Sequence, residues 1–280
     1  MAKQRLDVLL VELGLCESRQ LAQRLIRAGE VQVNHQVMDK PGMSIATDAS
    51  IQLKVRPPYV SRGGEKLAHA LDTFPIVVSG RCCLDGGIST GGFTDCLLQR
   101  GAVRVYGIDV GYGQVAWKLR QDQRLVLRER TNIRHLQPDD FYRLDDPRPD
   151  LGVMDLSFIS LTKVLSALWQ LLQPPREVIL LVKPQFEVGR DRIEKKGVVR
   201  NPQDQAVAIA TVLDRATELG WHYRGLVPSP ITGPAGNVEY LLWLDCQHNA
   251  TEIPTLEELA HLTQTAYQAL HGAHISTKPP

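Results

Sequence analysis

No stretch of this chain approaches the roughly 18 consecutive apolar residues that a membrane-spanning helix requires. Runs such as VILLV at 178–182 are far shorter, which argues against a membrane protein. The first residues, MAKQRLDVLLVELG, carry Asp7 and Glu12 inside their apolar run and lack the uninterrupted core of a secretion signal. Cysteines are few. Cys16, Cys82, Cys83, Cys96 and Cys246 are odd in number and show no C-x-x-C spacing, so neither a disulfide framework nor a zinc site is expected. Free thiols point to a reducing compartment, the cytoplasm. No charge of one sign dominates either: 32 Lys and Arg against 31 Asp and Glu leave +1, and the total gives no reason to expect a polyanion. Its distribution is uneven, with nine basic and six acidic side chains in residues 1–62 but one and four in 241–280. The eight histidines are scattered, four of them in the acidic tail, and form no ligand cluster, so no metal is expected.

What is present is an ordinary globular composition, 43% hydrophobic and 22% charged, which excludes a disordered, collagen-like or coiled-coil chain. At 280 residues, more than one structural unit is expected. Leu6, Leu9, Leu10 and Leu13 recur at helical spacing before Gly14, and Ser18 can cap a second helix that Gly29 ends. The segments EVQVNHQV and SIQLKV then alternate as strands, the first turning at Asn34-His35. RPPYVSRGG, residues 56–64, has the composition of a linker. Beyond it, β-like runs at 81–85, 103–109, 124–127, 150–154 and 177–182 alternate with helical stretches at 92–100, 163–172 and 203–219, the rhythm of a parallel sheet covered on both faces. Runs 222–228 and 238–244 are expected to pair as an antiparallel hairpin at its edge, and 255–270 to close the chain as a helix. The expected divisions are 1–60, 61–250 and 251–280.

CLDGGISTGGFTDCLLQRGA runs from a strand through Gly86, Gly87, Gly91 and Gly92 into a helix. Glycines there allow close backbone approach, and a helix start offers free N–H groups. The next strand ends at Asp109, where a carboxylate can accept two ribose hydroxyls. The spacing matches neither the dinucleotide nor the triphosphate pattern. S-adenosylmethionine, with a ribose, an adenine and a carboxylate but no phosphate, fits better. The competing explanation is a glycine turn that only lets strand and helix pack, with Asp109 as a cap.

Charges also stand where apolar strands end. Asp155 closes LGVMD, Lys183 closes VILLVK, Glu239 sits in NVEYLLWL, and Lys66 follows the linker in RGGEKL. Carboxyl ends of neighbouring parallel strands converge on one crevice, so Asp155 and Lys183 should meet there. Singly, each has a plain explanation as a cap or a solvated side chain.

Together these residues resemble the Lys-Asp-Lys-Glu tetrad of FtsJ-like RNA ribose 2′-O-methyltransferases. More closely, SRGGEKL, STGGFTD, MDLSFISL, LVKPQFEVGR and GNVEYLL resemble the TlyA (hemolysin A) family of ribosomal RNA cytidine 2′-O-methyltransferases. The N-terminal RLDVLLVELGLCESRQLAQRLIRAGEVQVN with its later KPG is similar to a small RNA-binding domain of the ribosomal-protein type, with His35 where the family usually has Gly.

The resemblance implies a Rossmann-like α/β methyltransferase sheet behind a small α+β RNA-binding domain. S-adenosyl-L-methionine would lie over Asp85, Gly86, Gly87, Ser89, Thr90, Gly91, Gly92 and Phe93, with Asp109 on its ribose, Asn132 bordering its adenine and Asp155 facing its sulfonium. Lys66, Asp155, Lys183 and Glu239 would be catalytic, Lys183 as proton acceptor or hydroxyl-steering group. Arg5, Arg19, Arg24, Arg27 and Lys40 would track phosphates of ribosomal RNA or ribosomal subunits. No protein partner is evident. The rival readings are a membrane-active hemolysin and a non-catalytic RNA-binding assembly factor.

Overall fold

A computed structural model describes residues 2–54, 57–249 and 251–272. The chain forms two compact units, Met1–Pro57 and Pro58–Pro280.

In the first unit, β1 (Lys3–Arg5) leads into α1 (Leu6–Glu12) and α2 (Arg19–Arg27), followed by β2 (Val31–Val33), β3 (Gln36–Met38), β4 (Ser44–Ala46) and β5 (Ile51–Leu53). Ser18 caps α2 by accepting from the Leu21 N–H at 3.3 Å. Leu6, Leu9, Leu10, Ala22, Ile26, Val31 and Val33 form its core. The expected hairpin joins β2 to β3, with Asn34 and His35 at φ 50° and 66°, the left-handed pair that a tight hairpin turn requires. β5 flanks β2 on its other side, whereas β1 pairs with β4 in a ribbon that the sequence pattern does not announce.

The second unit holds α3 (Gly63–Thr73), β6 (Cys82–Gly86), α4 (Gly92–Gln99), β7 (Arg104–Ile108), α5 (Trp117–Arg120), β8 (Leu125–Arg128), α6 (Pro138–Phe141), β9 (Leu151–Met154), α7 (Leu165–Leu171), β10 (Glu177–Val182), α8 (Pro184–Glu187), α9 (Pro202–Glu218), β11 (His222–Pro228), β12 (Tyr240–Asp245) and α10 (Leu256–Gly272). Seven strands make one sheet in the order β11-β12-β10-β9-β6-β7-β8. It is parallel from β10 to β8, and β12 and β11 close the other side antiparallel, as expected. Alternate residues bury on opposite faces because helices cover both. Leu84, Tyr106, Met154, Leu180 and Leu242 pack with Leu168 of α7 and Ile209 and Leu213 of α9. Cys83, Val105, Val153, Ile179 and Leu241 pack with Leu67 and Ala70 of α3 and Leu97 of α4. Each fully buried aliphatic side chain contributes about 1.5–3 kcal/mol.

One expectation changes. Of the segment read as a linker, Pro58–Arg62 belongs to the second unit. The Val60 N–H donates to Asp95 at 2.8 Å, Gln99 donates to the Pro58 carbonyl at 2.9 Å, and Tyr59 packs against Gly64. The expected closing helix is present as α10 and packs into the second unit. Leu259 and Ala266 of α10 enter the core beside α9, and Thr263 donates to the Pro202 carbonyl at 2.8 Å. Residues 273–280 lie outside the described residues.

The first unit also has a polar hub. Asp7 is fully buried in α1 and accepts from Arg5 at 3.0 and 3.1 Å, Arg19 at 2.9 Å and Gln23 at 2.8 Å. The Arg5 guanidinium, aided by Gln23 and Arg19, holds its carboxyl well below the usual carboxylate range despite burial. A depressed value means stability that is complete above the unfolded value, near 3.9, and fades as pH falls below it. Asp7→Asn should therefore cost about 2 kcal/mol at pH 7, the worth of a charged hydrogen bond. Hydrogen exchange of the α1 and α2 amides in the full chain should quicken accordingly, and the difference should narrow below pH ~4. Equal exchange at pH 7 would show that the hub does not stabilise the unit.

Candidate active site

The carboxyl edge of the parallel strands is where the chemistry-bearing residues gather. β6 leads into the glycine loop, and β7 is followed directly by Asp109, whose Oδ2 accepts from the Ser89 N–H at 2.7 Å and Oδ1 from the Gly111 N–H at 2.7 Å. One backbone donor per oxygen leaves the second lone-pair direction of each available to a hydroxyl. A cavity of about 520 Å³ lies beside it, lined by Gly87, Ser89, Asp109, Gln114, Asn132 and Asp155 among others. A second, of about 200 Å³, adjoins it through Gly87, Ser89 and Asp155, and adds Lys66, Thr90, Gly92 and Phe93.

The glycines are needed mainly for packing. A Cβ on Gly86 would strike the Met154 sulfur, one on Gly87 the Asp155 carbonyl oxygen, one on Gly91 Leu119, and one on Gly92 Ser61 at the start of α3. Gly86 and Gly91 thus lie behind the cavities' walls. The reason given above for these glycines, close approach of a ligand, gives way to close approach of neighbouring protein. Ser89, at φ 49°, and Gly87, at φ 85°, turn the backbone over the cleft.

A stronger sign of a ligand is Asp85. It is fully buried, its Oδ2 accepts from Thr94 at 2.6 Å, and its Oδ1 has no partner among the described residues. Burial pushes its carboxyl up to about 7, against the Thr94 hydrogen bond and with the charges of Asp155 and Asp109 adding to the rise. A buried carboxylate oxygen without a donor is costly, so the loop is suited to a cationic or donor group. Asn132 is exposed on the cavity wall, with its Oδ1 committed to the Arg134 N–H at 3.0 Å, which leaves its amide donors to face a ligand.

The four charged residues form two ion pairs. Lys66 of α3 pairs with Glu239, both nearly inaccessible. Lys183 pairs with Asp155 at 2.6 Å and donates to the Ser157 hydroxyl at 3.0 Å. The sheet brings the pairs together: Val182 lies opposite Tyr240, so Lys183 and Glu239 stand at the same end of adjacent strands, and Lys66 and Asp155 line the same cavity. An ammonium held between a carboxylate and a hydroxyl beside a nucleoside-sized cleft can steer a hydroxyl and, once neutral, accept its proton.

Sequence reasoning missed Ser157, Gln114 and Arg62. Each lines a cavity or touches a candidate residue, and only nearness to Asp155, Asp109 and Lys66 marked them. In the first unit, Arg5 and Arg19 are exposed but committed to Asp7, whereas Arg24, Arg27 and Lys40 are exposed and make no ion pair among the described residues. No group of three or more His, Cys, Asp and Glu among the described residues could hold a metal ion. No described helix is long and apolar enough to cross a membrane.

Comparison with known proteins agrees with this geometry. The FtsJ-like methyltransferase family matches residues 59–246, and the S4 domain matches residues 4–51. The chain is 47% identical over 260 residues to the 16S/23S rRNA (cytidine-2′-O)-methyltransferase TlyA of Mycobacterium tuberculosis, covering 92% of this chain and 96% of that protein. It is 38% identical over 237 residues to hemolysin A of Brachyspira hyodysenteriae, covering 85% and 98%. A solved hemolysin-designated structure from Streptococcus thermophilus superposes with a TM-score of 0.74 at 39% identity, covering 99% of this chain and 100% of that one. By the extent of these matches, the chain belongs to the TlyA family, an FtsJ-like methyltransferase domain preceded by an S4 domain.

Proposed function

We propose that the chain transfers a methyl group from S-adenosylmethionine to the 2′-hydroxyl of a cytidine ribose in ribosomal RNA. The observation that carries this reading is the meeting of the Lys66–Glu239 and Lys183–Asp155 pairs at a cleft that also holds the glycine loop and Asp109. The activity named for the Mycobacterium tuberculosis relative and the S4 domain support the substrate class. Free cysteines and a ribosomal substrate fit the cytoplasm.

The residues present suit the cofactor. The unpartnered Asp85 oxygen offers an acceptor for a cation, Asp109 has lone pairs for ribose hydroxyls, and the larger cavity accommodates a nucleoside. S-adenosylmethionine supplies an electrophilic methyl group on a sulfonium sulfur. Asp155 offsets positive charge at the mouth and orients Lys183. Lys66 and Glu239, neutralised by each other, hold the ribose from the other side. When bound, the cofactor would give up its methyl carbon to the ribose oxygen and keep the bond's electron pair on sulfur, and Lys183 Nζ would take the hydroxyl's proton. Fixing the ribose hydroxyl against the methyl donor would account for much of the acceleration, and the positioned base for about 10²–10⁴-fold. Arg24, Arg27 and Lys40 position the RNA through its phosphates, and Arg5 and Arg19 through donors not spent on Asp7.

Lys183→Ala should lower the rate of methyl transfer to ribosomal subunits about 10³-fold, with cofactor affinity changed less than threefold. A wild-type rate would remove Lys183 from the chemistry. Asp85 gives a second test. An acid raised to about 7 is largely neutral at pH 5.5 and half ionised at pH 7, while a bound cation favours the ionised form. Calorimetry should show cofactor binding tightening by up to about tenfold over that interval, and Asp85→Asn should flatten the slope. Equal slopes in both proteins would exclude this role.

A further inference from the structure

We propose that Ser157 is a positioning residue for Lys183: its hydroxyl fixes the amine so that the lone pair faces the cleft. This rests on the transferase reading above. To take a proton from a ribose hydroxyl, Lys183 must be a neutral amine with two N–H groups and one lone pair on a tetrahedral nitrogen. Asp155 occupies one N–H direction at 2.6 Å. With that contact alone, the amine could turn about its terminal bond and place the lone pair in either remaining direction. Ser157 Oγ, 3.0 Å from Nζ, takes the second N–H and leaves the lone pair a single direction.

The placement of Ser157 is imposed by its loop. The loop begins where the Asp155 N–H donates to the Gly86 carbonyl at 3.0 Å. It ends where Glu187 Oε1 accepts from the Leu161 N–H at 2.8 Å and Oε2 from the Ser160 hydroxyl at 2.6 Å. Between them, Phe158 stands at φ 66°, an unfavourable backbone for an aromatic residue, and its ring meets Phe186 at 5.4 Å. Phe186 and Glu187 belong to α8, which starts directly after Lys183. The base and the serine that steers it are therefore held by one local assembly. Ser157 itself is exposed, lies outside the buried cores, and makes no other side-chain hydrogen bond among the described residues.

The test uses the full-length chain, tritium-labelled S-adenosylmethionine and purified small and large ribosomal subunits lacking the modification, assayed separately. Ser157→Ala should lower kcat about tenfold, one hydrogen bond's worth, with KM for the subunits and the calorimetric cofactor Kd within about twofold of wild type. Ser157→Thr, which keeps the hydroxyl, should recover at least half of the lost kcat. A wild-type kcat in Ser157→Ala overturns the assignment. So does a loss confined to KM, or a threonine variant as impaired as the alanine one. If the wild-type chain methylates neither subunit, the transferase reading itself falls.

Discussion

A charge taken out of water must meet its opposite, and this rule shapes the catalytic unit. Lys66 and Glu239 keep 9% and 1% of their side-chain surface, a burial that neither tolerates alone, because removing one partner of such a pair costs roughly 3–5 kcal/mol. Their contact ties α3, at the front of the unit, to β12, at its back. The packing of Tyr59 on Gly64 and the bond from Val60 to Asp95 hold α3 to α4 in the same register. Lys183 is as deeply buried as Lys66, and of the four only Asp155 keeps an appreciable share of its side-chain surface, 24%, open to the cleft.

Much of this arrangement was legible in the residues. The parallel strands announced themselves because both faces of the sheet are covered, which makes runs such as 178–182 apolar throughout, and the strand-end charges stood out against them. Asn34-His35 marked its hairpin because few residue pairs accept two left-handed conformations. The rest was hidden for physical reasons. The β1–β4 ribbon uses three-residue strands with little apolar content, so no periodicity betrays it. Pro58–Arg62 has the composition of a linker, yet its ordering comes from contacts with Asp95 and Gln99 more than thirty residues away. Asp7 looked like an interruption in an apolar helix and proves to be where Arg5 and Arg19 are anchored.

The glycine loop shows how one stretch of sequence can have two separate physical reasons. Met154, the Asp155 carbonyl, Leu119 and Ser61 occupy the spaces that side chains would need, so the loop's composition would be required by packing with no ligand at all. The case for a ligand comes from an acid beneath the loop with an unspent oxygen and from the carboxylate of Asp109, whose backbone partners leave room for more. Shape and chemistry at one place have separate causes here.

β12 runs against the parallel strands, and so its beginning, not its end, reaches the edge where their ends lie. Glu239 therefore joins residues that precede it by as many as 173 positions. During synthesis the glycine loop, Asp109, Asp155 and Lys183 leave the ribosome long before the strand that completes their setting. Until then Lys66 lacks its counter-charge. The four-residue arrangement is therefore complete only once the strand beginning after Glu239 has been added to the sheet.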